Sequence, residues 1–176
     1  VIFDMRLFIA FDVSKAKESI LAAQKQLTEA KLTLTKSFHL TLKFLGEVTP
    51  AKAEEIKQKL ATVQFKPFKA HLNGTGVFPN ENLIRVVWVG IEPSDTICEL
   101  QNKIEEALGG EKEKDFKPHI TLARVKSSDK KFAEKIKKLK VEPASFEVKE
   151  FKLIESKLET EGPVYTDVAR YEASKV

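Results

Sequence analysis

Apolar and polar residues alternate from Arg6 to Val13, with Leu7, Ile9, Phe11 and Val13 on one side, and this period of two predicts a strand. From Ser14 the period lengthens. Ala16, Ile20, Ala23 and Leu27 recur at helical spacing behind a serine suited to capping. Leu32 to Thr35 alternates again and reads as a short strand; Phe38 to Gly46 reads as another, ended by the glycine. Thr49-Pro50 is a cap followed by proline at the first helical position, and Ala53, Ile56, Leu60 and Val63 mark the helix it opens. Phe68, Ala70 and Leu72 alternate with Lys69, His71 and Asn73 in a strand expected to loosen at Gly74-Thr75-Gly76. A turn cluster follows at Pro79 to Asn82. Leu83 to Val89 is apolar enough for a central strand and carries one charge, Arg85.

Ser94 or Asp95 can cap a third helix built on Ile97, Leu100, Ile104 and Leu108, which Gly109-Gly110 ends. The charged stretch 111–117 reads as a loop. Pro118 to Val125 is again strand-like, and Phe132, Ile136 and Leu139 mark a fourth helix. Ser145 to Ile154 reads as one strand whose apolar parity switches near Glu150, and a bulge there would explain the switch. Gly162-Pro163 turns the chain into a final strand, Val164 to Tyr171. Strands and helices alternate with no long linker and no low-complexity segment, so residues 1–176 read as one compact domain or two small lobes sharing a core.

Two of these strands share a motif. His39-Leu40-Thr41-Leu42 and His119-Ile120-Thr121-Leu122 both read histidine, aliphatic, threonine, leucine. Side chains alternate faces along a strand, so each offers an imidazole and a hydroxyl on one side and aliphatics on the other. If the two histidine faces meet, they flank one space with two imidazoles and two hydroxyls. Histidine titrates at about 6.5 when unperturbed, so one ring can be neutral while the other is protonated. That pair suits a general base and a general acid on opposite sides of one reacting atom. Two threonine hydroxyls suit the non-bridging oxygens of a phosphate. A lone His-x-Thr in a strand is usually structural. Two copies in a chain with three histidines are not the same case, whereas His71 reads as an exposed strand residue.

Composition changes the picture modestly. Charged residues make up 32% of the chain, above the usual quarter, and are mixed in sign, as on solvated helix faces. The net charge of +4 favours anionic partners without naming one. Cys98 has no second cysteine, so it forms no intramolecular disulfide and no cysteine metal site; in its helical pattern it reads as a buried structural thiol. No metal-ligand cluster is visible. No apolar run is long enough to span a membrane and no signal peptide is seen, so the expected location is the cytoplasm. Val1 to Asp4 precede the only methionine.

The chain resembles the two-histidine phosphoesterases, and within them the RNA 2',3'-cyclic phosphodiesterases, also called 2'-5' RNA ligases. The resemblance runs from about Met5 to Tyr171. Its pieces are Arg6 to Ala10, His39 to Gly46, Gly76 to Pro79, Arg85 to Gly90, Pro118 to Val125 and Glu155-Ser156. It implies a bilobal α+β fold in which two pseudo-symmetric antiparallel sheets face each other across a V-shaped cleft, helices outside. It implies hydrolysis of a terminal 2',3'-cyclic phosphate on RNA, tRNA halves among the candidates, to a 2'-phosphate. His119 would take a proton from water, His39 would give one to the departing 3' oxygen, and Thr41 and Thr121 would hold phosphate oxygens. Run backwards with a 5'-hydroxyl, the same geometry makes a 2'-5' linkage. No cofactor or metal is implied, and a monomer is expected.

Four further side chains have open readings. Arg124 is opposite in parity to His119, and an end or a bulge of the strand near Ala123 would re-aim it at the phosphate, as the family resemblance implies; the rival reading is a surface arginine at a strand end. Lys43 has the parity of His39 and is either an RNA-attracting cation or a solvated lysine. Phe8 lies opposite Leu7 and Ile9 and is a candidate for base stacking, while Phe44 shares the parity of Leu40 and Leu42 and is expected in the core. Two rival functions stand beside the enzyme: an RNA-binding module without catalysis, and the same chemistry on a small cyclic nucleotide or a 2'-5' oligonucleotide.

Overall fold

Thr49 caps a helix as its sequence predicts: its hydroxyl accepts from the Lys52 amide at 3.1 Å, and Pro50 opens α2 (Pro50–Leu60). The structure, a computed structural model, describes residues 3–175; Val1, Ile2 and Val176 lie outside the described residues. The other helices are α1 (Lys17–Lys25), α3 (Ser94–Leu108) and α4 (Lys130–Lys137).

Two antiparallel sheets give the expected α+β class. The first has the order β3-β1-β8-β9, with β1 Met5–Asp12, β3 His39–Val48, β8 Glu150–Glu159 and β9 Gly162–Glu172. The second has the order β2-β6-β5-β4-β7, with β2 Lys31–Leu34, β4 Phe68–Asn80, β5 Leu83–Glu92, β6 His119–Ser127 and β7 Ser145–Val148. Leu7, Ile9 and Phe11 of β1 are buried as their alternation predicts, and they belong to one apolar cluster with Val87, Val89, Ile120 and Leu122 of the second sheet. A smaller cluster, Phe8, Ala10 and Ile154, lies on the other face of β1 and β8. No helix is long and apolar enough to cross a membrane among the described residues.

Five local expectations are corrected. Ser14 does not cap α1: its amide and hydroxyl both bond to the Asp12 carboxylate, at 2.7 and 3.0 Å, and Ser14–Ala16 makes a 3-10 turn. Neither Ser94 nor Asp95 caps α3; Glu92 accepts from the Ser94 amide at 2.7 Å. β3 runs past Gly46, and β4 runs past Gly74, because one extra residue bulges out of each ladder and the glycine there takes a positive φ, +72° and +73°. The parity switch near Glu150 is not a bulge. At Lys149 the chain leaves β7 of the second sheet and enters β8 of the first, so the buried side changes because the sheet changes.

α1 lies against β6 and α4 against β4. Gln24 of α1 is buried and donates to the carbonyls of Thr35 (2.7 Å) and Leu122 (3.0 Å). α2 packs on α3, and the Tyr171 hydroxyl of β9 donates to the Lys57 carbonyl at 3.1 Å.

Candidate active site

β3 and β6 each begin at a histidine, and the two strands approach to within 8 Å between Cα atoms. Thr35, just before β3, donates its amide to the Leu122 carbonyl of β6 at 2.9 Å, so the entry to one histidine strand is fastened to the middle of the other.

Both strands carry the same irregularity. On β3, His39 pairs with Asp12 and Thr41 with Ala10; the register then slips at Leu42, so Lys43 pairs with Ile9 and Phe44 with Phe8. On β6, His119 pairs with Gly90 and Thr121 with Trp88; the register slips at Leu122, so Ala123 pairs with Val87 and Arg124 with Val86. One extra residue sends the side chains that follow it, up to the next slip, to the opposite face. Arg124 is thereby turned to the side of His119 and Thr121, and it is exposed. The re-aiming follows from a bulge one residue before Ala123.

The same step overturns two readings by parity. Lys43 pairs with the buried Ile9, and its ammonium meets Glu105 of α3, with side chains 17% and 2% exposed. It therefore points away from the histidine face. Phe44 is not core: it is 71% exposed and sits 6.1 Å from the Phe8 ring. Phe8 in turn offers no open face for a base. It is 6% exposed and packs edge-on against His39 (6.2 Å) and Tyr165 (5.6 Å).

Each imidazole has one nitrogen engaged and a wall of aromatic rings. His39 is half-buried, with Nδ1 2.7 Å from the Ser37 hydroxyl and Tyr165 5.9 Å away, ring to ring. His119 has Nδ1 2.7 Å from the Lys117 carbonyl oxygen. A carbonyl only accepts, so His119 Nδ1 carries the proton and the neutral ring has its lone pair on Nε2. Phe78 meets His119 edge-on at 4.9 Å and Trp88 stands 6.2 Å away. The Lys117 ammonium lies 4.7 Å above the Trp88 ring. Gly76 leaves room for that indole: a Cβ there would lie 2.1 Å from Trp88 Cζ2.

Burial holds the His39 imidazolium below its ordinary 6.5. Asp12 opposes that shift, Lys152 adds to it and Asp167 opposes it. Asp12 is the cross-strand neighbour of His39, and Lys152 and Asp167 are joined at 3.1 Å. Among the described residues, no group of three or more His, Cys, Asp or Glu side chains is placed to hold a metal ion. His71 is exposed on β4, as expected; Cys98 is half-buried, with Sγ 3.9 Å from the Phe116 carbonyl; Arg85 donates to the Lys126 carbonyl at 3.0 Å.

Tyr165, Phe78, Trp88, Lys117 and Ser37 gain their places only through strand register and loop geometry. Trp88 and Phe78 stand in the stretches that carry the family resemblance, yet no pattern local to them points at His119. Tyr165 reaches His39 from the far strand of a four-stranded sheet.

Similarity to known proteins agrees with this arrangement. Residues 11–159 match the profile of the 2'-5' RNA ligase superfamily. An RNA 2',3'-cyclic phosphodiesterase of Archaeoglobus fulgidus is 37% identical over 96% of this chain and 100% of its own. One from Methanocaldococcus jannaschii is 40% identical over 92% of this chain and 96% of its own. The crystal structure of E. coli LigT complexed with phosphate superposes with a TM-score of 0.76 at 26% identity, covering 98% of this chain and 99% of that one. With its two antiparallel sheets and its paired histidine strands, this chain belongs to the 2'-5' RNA ligase superfamily.

Proposed function

We propose that the chain is an RNA 2',3'-cyclic phosphodiesterase working by two-histidine acid–base catalysis. The observation that carries this reading is the duplication itself: two His-x-Thr strands, bulged at the same leucine, approach each other in a superfamily whose relatives bear that activity in their names.

His119, with its lone pair on Nε2, takes a proton from a water molecule. The water oxygen bonds to phosphorus, the bond from phosphorus to the 3' oxygen breaks, and His39 delivers a proton to that oxygen. The product is a 2'-phosphate beside a free 3'-hydroxyl. Thr41 and Thr121 donate to the non-bridging oxygens, and Arg124 supplies charge that strengthens as the phosphorane forms. Burial favours the uncharged His39 ring and so lowers the cost of giving its proton up. With a 5'-hydroxyl in place of water the same steps join two ends by a 2'-5' linkage, leaving the 3'-hydroxyl free. The cyclic ester supplies the driving force, so the steps call on no nucleotide triphosphate.

The test is direct. The protein is incubated with RNA ending in a 2',3'-cyclic phosphate and the product phosphate is mapped. A 2'-phosphate is expected. A 3'-phosphate, or RNA binding that survives both histidine substitutions with no hydrolysis, overturns the proposal.

A further inference from the structure

Positive charge is concentrated in one short segment. Between residues 126 and 140 seven lysines stand against Asp129 and Glu134. That is five net positive charges in a chain whose total is +4, so the remainder carries −1. The segment begins where β6 leaves the candidate site. Beyond the bulge at Leu122 the alternation puts Arg124 and Lys126 on the histidine face of β6, roughly 7 Å apart along the strand. Ser127 ends the strand and α4 starts at Lys130, capped by the Asp129 carboxylate on the Phe132 amide at 3.1 Å.

Lys130 and Lys131 break a local rule. They occupy the first turn of α4, which contains no acidic residue, and cations there oppose the helix dipole. Other lysines near helix starts have local partners: Lys17 lies over the Phe38 ring at 5.5 Å and Lys52 pairs with Glu55 at 3.3 Å. Among the described residues Lys126, Lys130 and Lys131 have no carboxylate within 4.0 Å, and all three are exposed. No ion pair among the described residues holds these three charges where they stand. α4 also borders the His119 cluster: a cavity of about 380 Å³ is lined by Trp88 and Lys117 on one side and by Ala133, Ile136 and Lys137 on the other.

We infer that Lys126, Lys130 and Lys131 form a backbone track for the RNA strand that leads away from the cyclic end, continuing the line begun by Arg124. The inference rests on the RNA reading above and adds to it the direction in which the strand leaves the site. The contacts are to phosphates, so they govern affinity for strand length and carry no base preference.

The test is the triple variant Lys126→Gln, Lys130→Gln, Lys131→Gln, which removes unfavourable charge from the start of α4 and leaves its cap intact. Two substrates are compared, a single-stranded RNA of about ten nucleotides with a 2',3'-cyclic phosphate end and a 2',3'-cyclic mononucleotide. KM for the RNA is expected to rise about tenfold or more at low salt, and the slope of log KM against log salt to flatten by about two. Hydrolysis of the mononucleotide stays within about twofold of the parent, since that substrate has no further phosphate to hold. Equal loss on both substrates, or no change on either, overturns the track. If the parent hydrolyses neither substrate, the catalytic reading fails separately. Binding of a 2'-phosphate-ended RNA at several salt concentrations then decides the track alone: an unchanged slope in the variant overturns it, a flatter one supports it.

Discussion

His119 Nδ1 lies 2.7 Å from the carbonyl oxygen of Lys117, two residues before it in the chain. The contact assigns the tautomer without reference to any substrate, because only the ring nitrogen can supply the proton. It also aims the basic Nε2 away from the protein's own loop. Nitrogen NMR of the neutral protein should show His119 protonated on Nδ1 and bare on Nε2. The reverse tautomer would remove its role as proton acceptor. His119→Ala and His39→Ala should each lower kcat by at least about a hundredfold, the usual size of acid–base catalysis.

The alkaline limb of the kcat/KM profile reports loss of the acid, His39. Burial lowers the pKa of that acid. Asp12 raises the His39 pKa and Lys152 lowers it. Asp12→Asn is therefore expected to move the limb to lower pH, and Lys152→Gln to higher pH. Measured with a cyclic mononucleotide, shifts of the opposite sign would assign the limb to another group.

The same burial links folding to pH. A ring whose folded pKa is depressed contributes its stability above the unfolded value of 6.5, and that contribution is lost as pH falls through the folded pKa. Tm should therefore drop between about pH 7 and pH 5. His39→Gln should flatten that drop, because it removes a ring that takes up a proton when the chain unfolds. An unchanged slope in the variant would mean that His39 titrates alike in both states.

Lys43 and Glu105 form a largely buried pair, and Glu105 also accepts the Glu113 amide at 2.9 Å. Lys43→Met leaves a buried carboxylate without its cation and should cost about 3 kcal/mol of stability. Lys43→Met combined with Glu105→Leu should recover part of it. Chemical denaturation measures both. A variant of normal stability whose KM for RNA alone rises would return Lys43 to the substrate side.

Gly76 and Phe44 make opposite predictions. Gly76→Ala drives a methyl into the Trp88 indole and should cost about 1–3 kcal/mol as the ring shifts, with a fall in kcat because Trp88 and Phe78 wall His119. Phe44→Ala removes a ring that is already exposed, so Tm should barely move. If Phe44 receives a base, KM rises by about 1–3 kcal/mol equivalent, and an unchanged KM would leave it without a contact.

The pair of histidine strands was legible because the motif occurs twice; α2 was legible from its local cap and apolar spacing, and α4 from its apolar spacing alone. What alternation could not supply was the state of the ladder. Leu42 and Leu122 are ordinary strand leucines, and nothing beside them signals an unpaired position. Once the register slips there, Lys43 and Phe44 exchange sides. The change of sheet at Lys149 was likewise visible only as a parity fault, since a bulge and a crossing leave the same trace. Tyr165 was out of reach because its approach to His39 is set by three successive strand pairings.

The routing of the chain has a temporal consequence. Every strand of the second sheet has been made by Val148, whereas the amino-terminal strand waits for its inner partner, with Leu7 opposite Glu155. During synthesis the half that holds His119 can close first. The half that holds His39 keeps an open hydrogen-bonding edge until the last hairpin emerges, so a nascent chain cut short before that hairpin would present an unfinished sheet and half a catalytic pair.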